Sequence, residues 1–208
     1  MKKIIGLAVV AIIILASVGF GTWSYFSDTE TANGNAVSAG TLTLSINGGY
    51  TNQTILTGLT NQVPGASGAL YATLVNTGSI PGLFGVQTST ITNTQNNSIP
   101  KYGVGGLGAT ALGSVATVAL WVDMNNNGTY DNGTDLMLKS DGTVVTTGLV
   151  YDTFNNYASK TWSTVIASMA ATTSVRFYMS WTIPSSADNG IQGASTQVSL
   201  TFTLQQIH

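Results

Sequence analysis

Two runs of strict alternation near the C-terminus constrain this chain more than anything else in it. Val175, Phe177, Met179, Trp181 and Ile183 alternate with Arg176, Tyr178, Ser180 and Thr182, and Val198, Leu200, Phe202 and Leu204 with Ser199, Thr201 and Thr203. A period of two gathers the apolar side chains on one face of a strand, whereas a helix would scatter them around its circumference. Shorter runs repeat the pattern. Leu42, Leu44 and Ile46 lead into Asn47-Gly48-Gly49, Leu70, Ala72 and Leu74 precede Asn76-Thr77-Gly78, and Val118, Leu120 and Val122 follow a Gly-rich stretch. Such runs, punctuated by Gly, Pro and Asn, predict an all-β, jelly-roll-like sandwich. One segment breaks the period. Ser159 is placed to cap a short helix near 160–169, whose Trp162, Val165, Ile166 and Met169 recur at helical spacing and would lid one open end. No long fixed repeat is present, so a solenoid is excluded.

The length of 208 residues suits a single β-domain, placed at 41–208. Cysteine is absent, which removes disulfides, thiolate metal sites and Cys nucleophiles together. The net charge of -2 argues against nucleic acid or an anionic membrane as partner. Only 7% of residues are charged. The surface must therefore be Thr, Ser, Asn and Gly, as suits a molecule that packs against copies of itself or carries sugars.

Residues 1–24 read as a signal peptide. Lys2 and Lys3 supply its positive start, Ile4 to Phe20 its uncharged apolar run, and Thr22 and Ser24 the small residues before a cut after Ser24. Cleavage by a signal peptidase would leave no stable membrane anchor and a secreted or cell-surface product. A retained anchor competes with this reading, although the run is short for a span. A pilin-type leader cut near Gly6 also competes, although Ile5 stands where that leader has a charge.

Residues 25–40 form a polar, Pro-free arm before the first strand, so every residue in it can donate to a ladder. Ala32, Gly34 and Ala36 alternate as small side chains, and Tyr25 and Phe26 stand as anchors at the far end. Such an arm fits strand addition to an open sheet edge. Taken alone, however, it is better read as a terminal segment with no partner, or one paired to its own body.

The stretch from Asp123 to Asp135 carries oxygen side chains at alternate positions, with Gly128 sixth, as in the opening half of a calcium loop. Asp123, Asn125, Asn127, Asp131 and Asp135, with the Thr129 carbonyl, are the candidate ligands for a structural Ca2+. The closing Glu of a helical calcium loop is replaced by Thr134, and an Asn/Gly-rich turn between strands is the alternative. Sequons occur at Asn52, Asn96, Asn127 and Asn132. The last two overlap the calcium loop, so Asn52 and Asn96 are the preferred acceptors.

Catalysis finds little support. The single His is His208, the last residue, so neither a zinc-protease His pair nor a Ser–His–Asp triad can be assembled without it. Asp141, Asp152 and Asp188 show no spacing that singles them out as a glycosidase pair.

The head Gly21-Thr22-Trp23 with Tyr25-Phe26-Ser27-Asp28, then Ala39-Gly40-Thr41-Leu42-Thr43-Leu44, the Asn76-Thr77-Gly78 turn and the closing Leu200-Thr201-Phe202-Thr203-Leu204 resemble the camelysin/TasA family. The resemblance rests on the two ends of the chain, and its low charge leans towards the archaeal bundling-pilus members. It implies a jelly-roll body, export through a dedicated signal peptidase, and head-to-tail polymerisation by donor-strand exchange, with lateral bundling possible. The expected role is a filament subunit of a surface pilus or biofilm-matrix fibre, serving adhesion, bundling or cohesion. A monomeric calcium-binding adhesion module and a type IV pilin-like subunit are the competing roles. Members have also been called metalloproteases, an activity for which the chain lacks the usual ligands.

Overall fold

Thirteen β-strands, one short helix and short 3-10 turns make up the described part of a computed structural model, which covers residues 40–47, 49–50, 54–95 and 111–207. The signal segment, the arm with Tyr25, Phe26, Ala32, Gly34 and Ala36, and the sequons at Asn52 and Asn96 lie outside the described residues.

The strands pack as two antiparallel sheets. In the larger sheet, β2 (Gly49–Tyr50), β1 (Leu44–Ile46), β4 (Ser67–Asn76), β12 (Ser174–Thr182), β7 (Thr117–Asp123), β8 (Leu136–Leu138) and β9 (Val144–Val145) lie in that order, and β10 (Asp152–Thr153) joins β7. In the smaller sheet the order is β11 (Thr161–Met169), β5 (Gly82–Thr88), β13 (Ser195–Gln206) and β3 (Thr54–Thr60), and β6 (Thr92–Thr94) joins β13. The chain is thus an all-β sandwich. The alternating runs form its centre: Val175, Phe177 and Met179 of β12 face Val198, Leu200 and Phe202 of β13, all buried. Phe202 stacks on Phe84 of its own sheet at 6.1 Å and meets Phe177 of the opposite sheet edge-on at 5.1 Å. Ring pairs of this geometry add to the burial of apolar area that holds the sheets together.

The expected helix near 160–169 is a strand, β11. Trp162, Ile166 and Met169 stand opposite Val86, Phe84 and Gly82 of β5, with irregularities in each interval. Extra residues in an interval restart the alternation. Trp162, Val165, Ile166 and Met169 therefore all turn inward, at spacings that imitate a helix. Ser159, expected as the cap, instead takes a left-handed conformation (φ 53°) and donates its N–H to the Ser89 carbonyl. The only α-helix among the described residues is α1, Leu112–Val115.

Candidate functional site: the root of the arm and an open sheet edge

The body begins at Gly40, and the residues after it are zipped onto the turn between β4 and β5. Thr41 N–H donates to Ser79 Oγ (2.8 Å), Ser79 N–H to the Thr41 carbonyl (2.8 Å), and Thr77 N–H to the Thr43 carbonyl (2.8 Å). Leu44 then pairs with Asn76 at the start of the β1–β4 ladder. This approach is close enough to require glycine. A Cβ on Gly78 would strike the Thr41 carbonyl oxygen, and one on Gly40 would strike the Ile80 side chain. Asn76 locks the turn from within. Wholly buried, it donates to the carbonyls of Ile80 (2.9 Å) and Met169 (3.0 Å) and accepts from Gly78 N–H (3.0 Å). Met169 belongs to the other sheet, so one side chain ties the arm's root to both layers. Leu42 and Leu204 meet beside Gly82, each within 3 Å of where its Cβ would stand. Three segments far apart in sequence, at 40–44, 76–78 and 200–204, thus converge on one structural unit.

The second feature lies along the same strand. β4 pairs with β12 over nine consecutive positions, from Ser67 to Val75, but with β1 only from Leu74 to Asn76. At Asn47 (φ 48°) the chain turns out of β1, and its N–H donates to the Thr73 carbonyl while its Oδ1 accepts from Thr73 N–H, both at 2.9 Å. Polar groups alternate sides along a strand. Since Thr73 faces β1, the N–H and C=O of Tyr71 and Ala69 face the same way, where no described strand pairs with them. Beside this edge the two layers part into a shallow groove lined by Leu70, Ala72, Phe177, Met179, Leu200 and Phe202. Leu70 occupies an inward position of the alternation yet is 46% exposed. It lines the mouth of this groove.

Three other edges of the sandwich are guarded, whereas β3, at the near end of the smaller sheet, pairs with β13 in unbroken register and is left plain. β11, the far edge of the smaller sheet, is broken by two irregularities, and β9 and β2, at the ends of the larger sheet, are two residues each. Bulges and short strands are the devices by which sheets avoid accidental pairing. The edge at 67–72 has neither, and Thr57 of β3 lines the groove beside it.

The candidate calcium ligands form a self-bonded loop between β7 and β8. Asp123 accepts from the N–H of Asn127 (3.2 Å) and Gly128 (2.8 Å), and Asp135 from the N–H of Met124 (2.9 Å) and Asp131 (2.8 Å). Asp131 takes the side-chain amides of Asn125 (2.7 Å) and Asn127 (2.6 Å), while Thr129 N–H donates to Asn127 Oδ1 (2.8 Å). Asp123 and Asp135 are fully buried, and these amides supply the hydrogen bonds that buried carboxylates require. The calcium expectation therefore continues to rest on the sequence spacing. On the outer face of the larger sheet, Tyr71, Tyr178 and Trp121 form an aromatic row that ends edge-on against Tyr130. Trp121 and Tyr178 are covered, and Tyr71, 58% exposed, lies under the Arg176 guanidinium at 5.4 Å from its ring centre.

Among the described residues no group of three or more His, Cys, Asp or Glu side chains is arranged to hold a metal ion, and no helix is long and apolar enough to cross a membrane. The family model described as "Camelysin metallo-endopeptidase" matches residues 1–103. The matched span includes the arm, its root and the whole of β4. No curated protein matches the chain. The metal that the family's description implies does not fit the donors present. The buried carboxylates already bind backbone amides, and the chain has one His and no Cys.

Proposed function

We propose, from the camelysin-family membership carried by its N-terminal half, that this chain is the structural subunit of an extracellular filament. At family level the match indicates a secreted, fibre- or matrix-related protein. The finer reading is that residues 25–39 of one copy add a strand to the open β4 edge of the next. The observation that carries it is the opposition of root and edge along one strand. β1 runs antiparallel to β4, so tracing back from Ile46 to Thr41 passes Asn76, Thr77 and Ser79 and leaves β4 at its C-terminal end. The open edge runs from Ala72 to the other end of β4 at Ser67, about 13 to 30 Å away at the usual rise per strand residue. An arm rooted at one end and an edge open at the other make a head-to-tail contact. Such a contact does not close on itself and so generates open filaments.

The groove suits an arm of small side chains. Its floor of Phe177 and Phe202 already stands near packing distance of the opposite layer, leaving room for Ala32, Gly34 and Ala36 rather than for bulky anchors. Main-chain bonds to Ala69 and Tyr71 would supply affinity, and the alternate side chains would set register. The role is mechanical and not catalytic, with adhesion and cohesion as its uses at a cell surface or in a matrix. Negative-stain microscopy of the mature chain beside a truncation beginning at Gly40 tests this. Residues from Gly40 onward form a compact unit with its own core, so the truncation should fold. Filaments from the full chain and monomers from the truncation are expected. Filaments from both would remove the arm from the account.

A further inference from the structure

We infer that Asn132 is the acceptor of an N-linked glycan. Four sequons occur in the sequence, and the two within described residues, Asn127-Gly128-Thr129 and Asn132-Gly133-Thr134, sit five positions apart on one loop. Their surroundings differ in the atom that matters. Asn127 uses its Nδ2 to hold Asp131 (2.6 Å), and its Oδ1 and N–H are also bonded inside the loop. A sugar on that nitrogen would displace the Asp131 carboxylate. Asn132 is exposed, its Oδ1 accepts from Gly148 N–H (2.7 Å), and its Nδ2 donates to no described group. Glycosylation of an Asn keeps the carbonyl as an acceptor, so the bond to Gly148 survives the modification.

The space around Asn132 is open. Gly133 takes φ +89°, with its N–H donating to the Thr146 carbonyl (2.6 Å), and a Cβ built on Gly133 or on Gly148 meets nothing within 4 Å. The Thr134 hydroxyl that completes the sequon is exposed on the same turn. The position is also compatible with polymerisation. The loop joins β7 to β8, which are separated from β4 by β12 in the larger sheet. Three strand spacings, about 15 Å, then lie between β8 and the open edge.

The step is a glycosyl transfer from a lipid-linked oligosaccharide phosphate or diphosphate at the export membrane. The Asn132 Nδ2 attacks the anomeric carbon, the C–N bond forms as the C–O bond to phosphate breaks, the lipid phosphate leaves, and nitrogen gives up one proton. No redox partner is needed. A sugar here would hydrate a surface that carries few charges.

Mass spectrometry of the mature protein taken from its own cell surface tests the inference. Trypsin releases residues 102–139 as one peptide, because Lys101 and Lys139 bound a stretch without Lys or Arg. Electron-transfer fragmentation then assigns any added mass to Asn127 or Asn132. The expected result is a hexose-containing mass on Asn132, lost in Asn132→Gln and in Thr134→Ala and retained in Asn127→Gln. An unmodified 102–139 peptide, or a glycan on Asn127, overturns it.

Discussion

Asn76 is the residue on which the arm's root depends most. Its amide spans the sandwich to Met169 while its carbonyl holds the Gly78 turn. Asn76→Ala leaves two buried carbonyls and an amide without partners, and should lower unfolding free energy by about 3 kcal/mol. Urea denaturation of the Gly40 truncation isolates that effect from assembly. Gly78→Ala should be as damaging despite adding one methyl, because the new Cβ meets the Thr41 carbonyl and pushes the first strand off the turn. Two carboxylates predict the acid response. Asp152 is held below its ordinary pKa, first by the Ser140 hydroxyl (2.5 Å) and then by Asn156 and the Thr153 N–H. Asp141 lies far below the carboxylate range, through Thr143 and then Lys139. A depressed folded pKa contributes stability above the unfolded value, near 4, and loses it as pH falls through the folded one. The thermal midpoint should therefore stay level from neutrality to about pH 4 and drop below it, with a shallower drop in Asp152→Asn.

At the scale of elements, the contrast between β11 and β4 carries the proposed strand exchange. β11 is a bulged edge that cannot easily accept a partner. β4 is a straight one that ends its pairing early. A charge placed where the arm would lie should separate folding from assembly. Leu70→Asp, at a half-exposed position, should leave the melting curve of the truncation within a few degrees of the parent while abolishing filaments of the full chain, as seen by sedimentation. The same contrast explains which strands were legible in the sequence. β12, β13 and the inner half of β4 alternate towards the core and so show directly, and β7, buried on both faces, shows through its Val118, Leu120 and Val122. β5 was hidden because Gly82 and Gly85 interrupt its apolar pattern. β11 imitates a helix in the sequence because its bulges convert a period of two into spacings of three and four. The exposed Leu70 looks in the sequence like any other inward residue, and only the short reach of β1 reveals it as the rim of a groove. The converse holds at the root. Gly40, Gly78 and Leu204 are visible in the sequence, but the placing of Gly40 against Ile80, of Gly78 against Thr41 and of Leu204 with Leu42 beside Gly82 is a tertiary fact that no local pattern encodes.

The described residues combine a sandwich that has its own core with a stretch of β4 that no described strand pairs. Its stability comes from a core shared by both sheets, without disulfides and with few ion pairs: among the described residues one is found, between Lys139 and Asp141 on the surface. Exposed pairs of this kind contribute little, so salt should affect assembly only weakly. Filament length in 20 mM and 500 mM salt should agree, unlike that of a charge-driven polymer. The most direct measurement of the central claim is hydrogen exchange on the peptide spanning residues 67–72, in the filament and in the Gly40 truncation. The account predicts that the amides of Ala69 and Tyr71 exchange rapidly in the truncation and become protected in the filament. Filaments in which those two amides still exchange freely would contradict it, and would show that copies join through some other surface.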